Sequence, residues 1–328
     1  MPDAQKTGKG RHGALEGDVR LPFGRPEFQI DGCRGGIMTC WICGGEDLTL
    51  VRKGTRFEDL AAANFRVTDS DYGHTGDIFR CRSCGFYQCS KFTDVLELYE
   101  EMDDQTYEGT SSARSLQAER TLRTIGKFRT GGRLLDVGAG SGILVGEAIR
   151  LGYQAEGIEP SKYLQSMAKE KNLPIRLGVL SNQEPEAQYD VVTLIDVIEH
   201  VSNPVELLST IRHVLRPQGV AVVVTPDVGS FAARLLGWKW WHFRYAHIGY
   251  FDRKTFLLAI KHAGLNPIHV CRPTWYFSFD YLIERLATYF PVVAKLPLPS
   301  LVRNLIIPLN LFDSILVVCG RREAASEE

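Results

Sequence analysis

The sequence predicts an α/β fold with a doubly wound sheet, in which helices cover both faces of mostly parallel strands. Three observations support this prediction. From residue 133 onward, short apolar segments typical of buried strands alternate with segments whose apolar residues recur at helical spacing. A glycine-rich turn follows the first apolar segment, and residues 189–196 form an almost wholly apolar run, as expected of a central parallel strand. This alternation predicts a ligand site at the carboxyl ends of the strands.

The first strand and the turn after it are the most informative part of the chain. Residues 134–142 read Leu-Leu-Asp-Val-Gly-Ala-Gly-Ser-Gly. A strand predicted over residues 133–138 therefore enters a turn whose glycines have no Cβ, so the backbone can lie against a ligand. The helix predicted over residues 143–151 directs its free N–H groups and its positive dipole end to the same place. The turn suits a ligand with a carboxylate or phosphate group.

The elements after this turn extend the sheet to seven strands. The second strand ends in Glu159, an acid placed to accept hydrogen bonds from ribose hydroxyls. Asn203 is the predicted N-cap of a later helix, because Pro204 follows it and an acid stands three residues after the cap. The other predicted strands cover residues 154–159, 174–178, 189–196, 220–224, 267–271 and 314–319, and the other helices cover residues 162–171, 203–215 and 256–263.

Four motifs in this region carry a family resemblance. They are the glycine-rich turn at 136–142, the acid and its following residues at 157–161, the buried strand with a polar end at 189–200, and the turn Leu215-Arg216-Pro217-Gln218-Gly219. In order and spacing they resemble the class I S-adenosylmethionine (SAM)-dependent methyltransferases. A nucleotide-binding dehydrogenase is the structural rival, but its glycines would read G-x-G-x-x-G, whereas these read G-x-G-x-G.

The resemblance covers roughly residues 130–225 and is weaker to about residue 270. It implies a Rossmann-like, seven-stranded doubly wound sheet with SAM as cofactor. Carried over motif by motif, it implies that SAM is held by Asp136, Gly138, Ala139, Gly140, Gly142, Glu159, Pro160 and Asp196.

Two C-x-x-C-G motifs predict a metal centre near the N-terminus. Cys40 and Cys43 form the first pair, Cys81 and Cys84 the second, and 37 residues (44–80) separate them. Four thiolates satisfy tetrahedral zinc and leave no open position for catalysis, so we expect a structural zinc rather than free thiols or disulfides. So short a segment cannot bury a sufficient core, and the metal would hold it together.

The chain divides by pattern into four parts and two insertions. We expect a disordered leader (1–35), a zinc-ribbon-like module (36–92), a helical linker that covers the cofactor (93–130), and a methyltransferase domain (131–328) with insertions at 226–252 and 273–312.

Composition limits the classes of binding partner and the cellular location that we expect for this protein. The formal net charge is −1 and acids outnumber basic residues within 44–80, which argues against nucleic-acid binding. No apolar run approaches the roughly 18 residues of a transmembrane helix. Eight cysteines without a secretory signal indicate a reducing compartment, so we expect a cytoplasmic protein.

The end of the fourth strand indicates the class of methyl acceptor. N-methyltransferases of adenine or planar amides usually carry Asn/Asp-Pro-Pro-aromatic there, whereas this chain has Asp196-Val197-Ile198-Glu199-His200. The segment instead is similar to small-molecule methyltransferases, including the quinone O-methyltransferases. That resemblance implies that Glu199 and His200 line the substrate side. His200 is the first candidate for the general base, because an imidazole pKa of ~6.5 suits proton removal at neutral pH. Its alternative role is to hold the loop by a backbone hydrogen bond.

The aromatic insertion at 226–252 overhangs the same strand ends and predicts a substrate lid. Its segment 247–252 resembles a stretch common in uncharacterised bacterial methyltransferases of glycan and lipid gene clusters. His247 is therefore the second candidate for the base or for a substrate ligand. The alternative is that the aromatic residues simply pack on the sheet, although such rings also stack on sugars or quinones.

Residues 275–311 are apolar and interrupted by prolines. Three interpretations stay open: an interfacial surface that binds a lipid-linked substrate at the membrane periphery, a capping pair of helices, or a contact between copies in a homo-oligomer.

Together these features predict a SAM-dependent methyltransferase that acts on an O- or C-nucleophile of a small molecule such as a sugar, glycolipid or quinone-like compound. Two other functions stay open. One is methylation of RNA or protein with the zinc module as the recognition element, and the other is a non-catalytic, zinc-stapled binding protein.

Overall fold

A computed structural model of the chain describes residues 38–54, 65–66, 72–90, 95–105, 107–290, 292–293 and 299–322. The predicted leader at 1–35 lies outside the described residues, as do parts of the cysteine-bearing segment and of the apolar stretch after residue 290. The strands are β1 (Leu48–Arg52), β2 (Ile78–Cys81), β3 (Tyr87–Cys89), β4 (Arg133–Val137), β5 (Gln154–Glu159), β6 (Ile175–Leu177), β7 (Tyr189–Ile195), β8 (Leu215–Pro226), β9 (Gly249–Tyr250), β10 (Leu265–Cys271), β11 (Trp275–Ser278), β12 (Ile306–Leu309) and β13 (Ser314–Arg321). The helices are α1 (Val95–Glu100), α2 (Ser111–Ile125), α3 (Ile143–Arg150), α4 (Lys162–Glu170), α5 (Pro204–Val214), α6 (Phe231–Leu236), α7 (Arg253–His262), α8 (Phe279–Tyr289) and α9 (Ser300–Arg303).

Seven strands form the main sheet in the order β10-β13-β8-β7-β4-β5-β6. The strands from β8 to β6 are parallel, whereas β13 runs antiparallel to both of its neighbours. All seven predicted strands are present, so the predicted sheet is confirmed. The reversal of strand order at β4 creates a crevice at the carboxyl ends of β4 and β7, which is where open α/β sheets bind ligands.

Helices cover both faces of this sheet, as a doubly wound fold requires. Successive strand residues point to opposite faces, so Leu134 and Val191 pack with α2 and α3, while Leu135 and Val192 pack with α5 and α7. Central-strand side chains on both faces are fully buried, which explains why the sequence of β7 reads as a continuous apolar run.

Two element boundaries differ from the sequence prediction by three residues or more. Strand β8 begins at Leu215 rather than at residue 220, because the predicted turn at 215–219 continues the strand across a register shift. Helix α7 begins at Arg253 rather than at residue 256, because Asp252 caps it and accepts a hydrogen bond from the Thr255 N–H at 2.7 Å. Asn203 does precede α5, but its side chain makes no capping hydrogen bond.

The cysteine-bearing segment shares a sheet with the aromatic insertion. Strands β1, β2 and β3 form an antiparallel sheet, and β9 adds to its edge by pairing with β3, with Tyr250 opposite Tyr87. The two Cys-x-x-Cys turns pack in the same apolar cluster as α5 and α7. The His262 ring also hydrogen-bonds the Ile42 carbonyl, with 2.9 Å between Nδ1 and the oxygen. This segment is therefore packed onto the main domain through both the aromatic insertion and α7.

The second insertion combines strands and helices. Strand β11 pairs antiparallel with β12, and α8 leads away from β11 along the cavity described below. Helices α8 and α9 of this stretch contact each other, and β11 and β12 add a two-stranded sheet beside α8. The capping pair of helices therefore stays a prediction, as do the other two interpretations. Within the described residues, each helix is too short or too polar to cross a bilayer.

Candidate active site

A large cavity lies at the carboxyl ends of β4 and β7, and its volume is about 1190 Å³. The cavity is lined by the glycine-rich turn, by α2 and the turn before it, and by the aromatic insertion together with α8 and β11. Small-molecule sites typically measure about 300–1,000 Å³. This cavity therefore has room for a cofactor and an acceptor together.

Glycine is required at both Gly positions of the turn that line the cavity. Gly138 and Gly140 have φ values of 76° and 55°, in the left-handed region that other residues rarely adopt. A Cβ on Gly138 would lie 2.5 Å from the Val197 Cγ2, and a Cβ on Gly140 would lie 2.4 Å from the Tyr107 Oη. The turn thus packs against the loop after β7 on one side and against Tyr107 on the other.

Asp136 lies on the cavity wall at the end of β4. The Thr193 Oγ1 donates a hydrogen bond of 2.6 Å to its Oδ1, and the side chain is buried. Burial raises the pKa of Asp136 to about 7, and the hydrogen bond from Thr193 opposes this shift. A ligand that donates hydrogen bonds here would favour the ionised form.

Glu159 is fully buried behind the turn rather than on the cavity wall. Its Oε2 accepts a hydrogen bond from the Gly140 N–H and its Oε1 accepts one from the Ser161 N–H, both at 2.8 Å. Burial raises the pKa of Glu159 to about 7, although both hydrogen bonds oppose this shift. The carboxyl group therefore ties the glycine-rich turn to the start of α4.

Asp196 lies at the end of β7 with φ at 52°, a left-handed conformation that is uncommon for a residue other than glycine. Its side chain is exposed to the cavity and enclosed by protein, which raises its pKa to about 7. The charge of Asp313 adds to this shift and that of Arg114 opposes it. Strained backbone of this kind is often found at functional sites.

His200 and His247 meet on the same wall, and their rings pack edge to face with 4.8 Å between centroids. The His200 Nδ1 lies 2.7 Å from the Ala246 carbonyl oxygen. Because a carbonyl only accepts, Nδ1 carries the proton and Nε2 keeps its lone pair. Burial lowers the pKa of His200 to about 4 and that of His247 well below its usual value, so both rings are neutral at physiological pH.

The structure brings most of the predicted site residues to one cavity. Its wall includes Asp136, Gly138, Ala139, Gly140, Pro160, Asp196, His200 and His247. Gly142 and Glu159 stand behind this wall. The alternative role considered for His200, a backbone hydrogen bond that holds the loop, is present, and it leaves Nε2 available for a second role.

Several aromatic residues of the lid are structural. Trp240 is fully buried, and Phe243 and Tyr250 pack with it in an apolar cluster beneath the lid. Trp241 and His242, by contrast, line the cavity. Packing therefore accounts for part of the insertion, and the substrate lid stays a prediction for the side chains that line the cavity.

Three residues of the cavity wall were missed from the sequence. Tyr99 and Tyr107 precede α2, and Arg114 belongs to its first turns. The Arg114 guanidinium lies over the Tyr107 ring, 3.9 Å from its centroid, and Tyr107 in turn packs on Gly140. The helical spacing of this segment predicted a cover for the cofactor, but no motif marked these side chains.

The four cysteines of the two motifs meet as predicted. Their Sγ atoms all lie within 4.8 Å of one another, with 3.5 Å between Cys40 and Cys84 and 3.6 Å between Cys43 and Cys81. These separations exceed the roughly 2.05 Å of a disulfide and match thiolates around an ion with Zn–S bonds of about 2.3 Å. The cluster is therefore compatible with zinc.

The glycine-rich turn, the acid at the end of β5 and the order of the seven strands together define the class I methyltransferase fold. Residues 111–270 match the family model described as a methyltransferase domain. This part of the chain is therefore a methyltransferase domain, and the resemblance inferred from the motifs is confirmed.

Known proteins similar to this chain match part of it. A ubiquinone biosynthesis O-methyltransferase of Rhodopseudomonas palustris (strain HaA2) is 34% identical over 116 residues, which are 33% of this chain and 46% of that protein. One from Cereibacter sphaeroides is 31% identical over 151 residues, covering 42% and 61%. The chain thus spans about half the length of these curated relatives. A SAM-dependent methyltransferase structure from Archaeoglobus fulgidus aligns with 66% of this chain and all of its own, at 16% identity and a TM-score of 0.47.

Proposed function

We propose that this protein is a SAM-dependent methyltransferase that transfers a methyl group to an oxygen or carbon nucleophile of a small molecule. The observation that carries the proposal is the single cavity shared by the glycine-rich turn and by His200 and His247. Part of the cavity lining has the features of a nucleotide site, and the same cavity presents neutral imidazoles that can contact a nucleophile. The relatives named as O-methyltransferases favour oxygen as the acceptor atom.

The proposed cofactor site is the part of the cavity that the glycine-rich turn lines. The residues proposed to hold SAM are Asp136, Gly138, Ala139, Gly140, Gly142, Glu159, Pro160 and Asp196. The turn at Gly138 and Gly140 leaves its backbone open to the cavity, which fits a flat nucleoside. Glu159 lies directly beneath this turn, and each of its oxygens has a second lone pair for a ribose hydroxyl. Tyr107 would move aside from Gly140 or pack on the bound ligand.

The chain's own contribution to the reaction is alignment and proton removal. When bound, SAM supplies a methyl group on a positively charged sulfur. The acceptor attacks the carbon in line with the breaking S–C bond, so its position in the cavity decides the rate. A hydroxyl acceptor also gives up its proton, and the neutral rings of His200 and His247 are the proposed groups that contact this nucleophile.

The rest of the cavity suggests an acceptor with an aromatic or apolar part. Trp275, Phe277, Tyr281 and Leu282 line the side formed by β11 and α8. At the outer end of this region Phe290 is 60% exposed. We propose a quinone-like ring or a glycolipid, with its apolar part along α8. A second copy of the chain is the competing occupant of the exposed apolar residues.

The location proposed for this enzyme is the cytoplasm. The seven cysteines of the described residues are free, as expected of a protein kept in reducing conditions. The cysteine cluster is proposed to bind one structural zinc ion, because its four sulfurs fill a tetrahedral ion completely.

Two measurements test the proposal. Isothermal titration calorimetry with S-adenosylhomocysteine should show one site per chain, and transfer of radiolabelled methyl from SAM should be tested on catechols, quinols and glycolipids. Binding without transfer to any acceptor class would favour the alternative of a binding protein. Absence of binding would overturn the proposed function.

A further inference from the structure

We propose that Glu199, His200 and His247 form a second metal site, which binds a first-row divalent cation through oxygen and nitrogen. The site would lie on the acceptor side of the cavity and is separate from the four-cysteine cluster. The inference deepens the proposed function. Cation binding itself does not depend on that function, but the effect of the cation on the acceptor does.

The three side chains converge on one point. One ligand atom from each residue lies within 4.8 Å of the corresponding atoms of the other two. Ligand atoms around an ion with bonds of about 2.0–2.2 Å lie roughly 3–4 Å apart. Small rotations of the side chains would therefore complete the site without movement of the backbone.

Glu199 has an oxygen that needs a partner. The side chain is 1% exposed, and the Thr225 Oγ1 donates a hydrogen bond of 2.9 Å to its Oε2. The buried Oε1 has no hydrogen-bond partner within the described part of the chain. A buried carboxylate oxygen without a hydrogen-bond donor or a cation lowers the stability of the folded protein. A bound cation would supply the missing partner. The Thr225 contact would then orient the ligating carboxylate.

His200 is oriented as a metal ligand would be. Its Nδ1–H donates to the Ala246 carbonyl, which fixes the tautomer and leaves the Nε2 lone pair free. Metal-ligating histidines usually donate their second ring N–H to a carbonyl or carboxylate in this way. The His242 ring faces Asp313, with 3.5 Å between its Nε2 and the carboxylate, and is not needed as a ligand.

The donor set selects the kind of cation. Two imidazoles and one carboxylate favour Mn²⁺, Fe²⁺ or Zn²⁺ over Ca²⁺ and Mg²⁺, and they leave coordination positions open. All three residues line the cavity, so the open positions face the acceptor. An acceptor hydroxyl bound there would lose its proton to solvent more readily, and the resulting oxygen anion would attack the methyl carbon as the S–C bond breaks. Neither imidazole would then be required as the base.

Mn²⁺ is the probe that separates the two metal sites, because it competes poorly with zinc for thiolates. The full chain, with its zinc content measured, would be titrated with Mn²⁺ and free Mn²⁺ followed by electron paramagnetic resonance. We expect one bound Mn²⁺ per chain and nitrogen couplings from histidine in the spin-echo spectrum. Glu199→Gln and His247→Gln should each weaken binding by at least about tenfold.

The matched control is His213→Gln. His213 hydrogen-bonds the Glu184 carbonyl from α5 and lies outside the cavity, so this variant should bind Mn²⁺ as the wild type does. No Mn²⁺ binding by the wild type, no nitrogen coupling, or equal binding by His247→Gln would each overturn the metal site. Calorimetry with S-adenosylhomocysteine on the same samples keeps the two proposals apart. Binding of that ligand without Mn²⁺ binding refutes only the metal site, and the reverse result refutes only the proposed function.

Discussion

Replacing Glu159 by glutamine tests the connection between β5 and the glycine-rich turn. The fully buried carboxylate accepts hydrogen bonds from the N–H groups of Gly140 and Ser161, both at 2.8 Å. An amide of the same shape has one acceptor oxygen, so one of these N–H groups would face an NH2 group instead. A hydrogen bond to a charged group contributes about 1.5–3 kcal/mol.

We expect this loss to weaken cofactor binding, because the turn loses an anchor and the ribose loses a charged acceptor. Since 1.4 kcal/mol corresponds to a tenfold change in affinity, the Kd for S-adenosylhomocysteine should rise by about 10- to 100-fold. Calorimetry at pH 8 is the assay. At that pH a carboxyl group with a pKa of about 7 is ionised in the wild type.

Glu156→Gln is the matched control for this experiment. Glu156 belongs to the same strand, contacts Arg133 and Tyr189 at the opposite end of the sheet, and does not line the cavity. Its replacement should leave the Kd unchanged. If Glu159→Gln binds the ligand within about twofold of the wild type while remaining folded, Glu159 does not support the cofactor site.

Three further predictions concern stability. Burial raises the pKa of Asp136 to about 7 from a usual 3.8, so the unliganded protein should lose stability as pH rises from about 4 to about 7. In urea unfolding, the free energy of unfolding of Asp136→Asn should vary with pH by up to about 4 kcal/mol less than that of the wild type. The same pH dependence in both proteins would contradict this prediction. Gly140→Ala should cost more than Gly131→Ala in the same assay, by about 1–3 kcal/mol, because both have positive φ but only the first would place its Cβ 2.4 Å from Tyr107; equal costs would contradict the contact. Cys81→Ser should lower the thermal midpoint and make it insensitive to a zinc chelator, and a midpoint equal to that of the wild type would exclude a structural metal.

Most of the main sheet could be predicted from the sequence because its signals are local. The apolar run of β7 indicates a buried strand, and the glycines after β4 indicate a tight turn, without information from distant residues. The boundary errors have local causes too. At α7 the capping box uses Thr255 at the third helical position, where the usual signal is an acid or glutamine, so the start at Asp252 was overlooked.

The site was predictable only in part, because it depends on contacts between distant segments. Asp136 and His200 could be placed on the cavity from motif positions. Tyr107 could not, because the direction in which the segment before α2 runs is set by packing. The pairing of β3 with β9 was equally hidden, since a two-residue strand such as Gly249–Tyr250 carries no alternation that marks it.

The pairing of β3 with β9 has a consequence for how the chain is made. During synthesis the cysteine-bearing segment leaves the ribosome long before β9. The hydrogen bond from the Cys89 N–H to the Ile248 carbonyl can therefore form only late. The proposed zinc ion would organise this segment early, but the β3 edge would stay unpaired until most of the main domain has been translated. If the cluster binds zinc as proposed, zinc-starved cells should accumulate nascent chains that aggregate or are degraded, rather than a finished protein that lacks one ion.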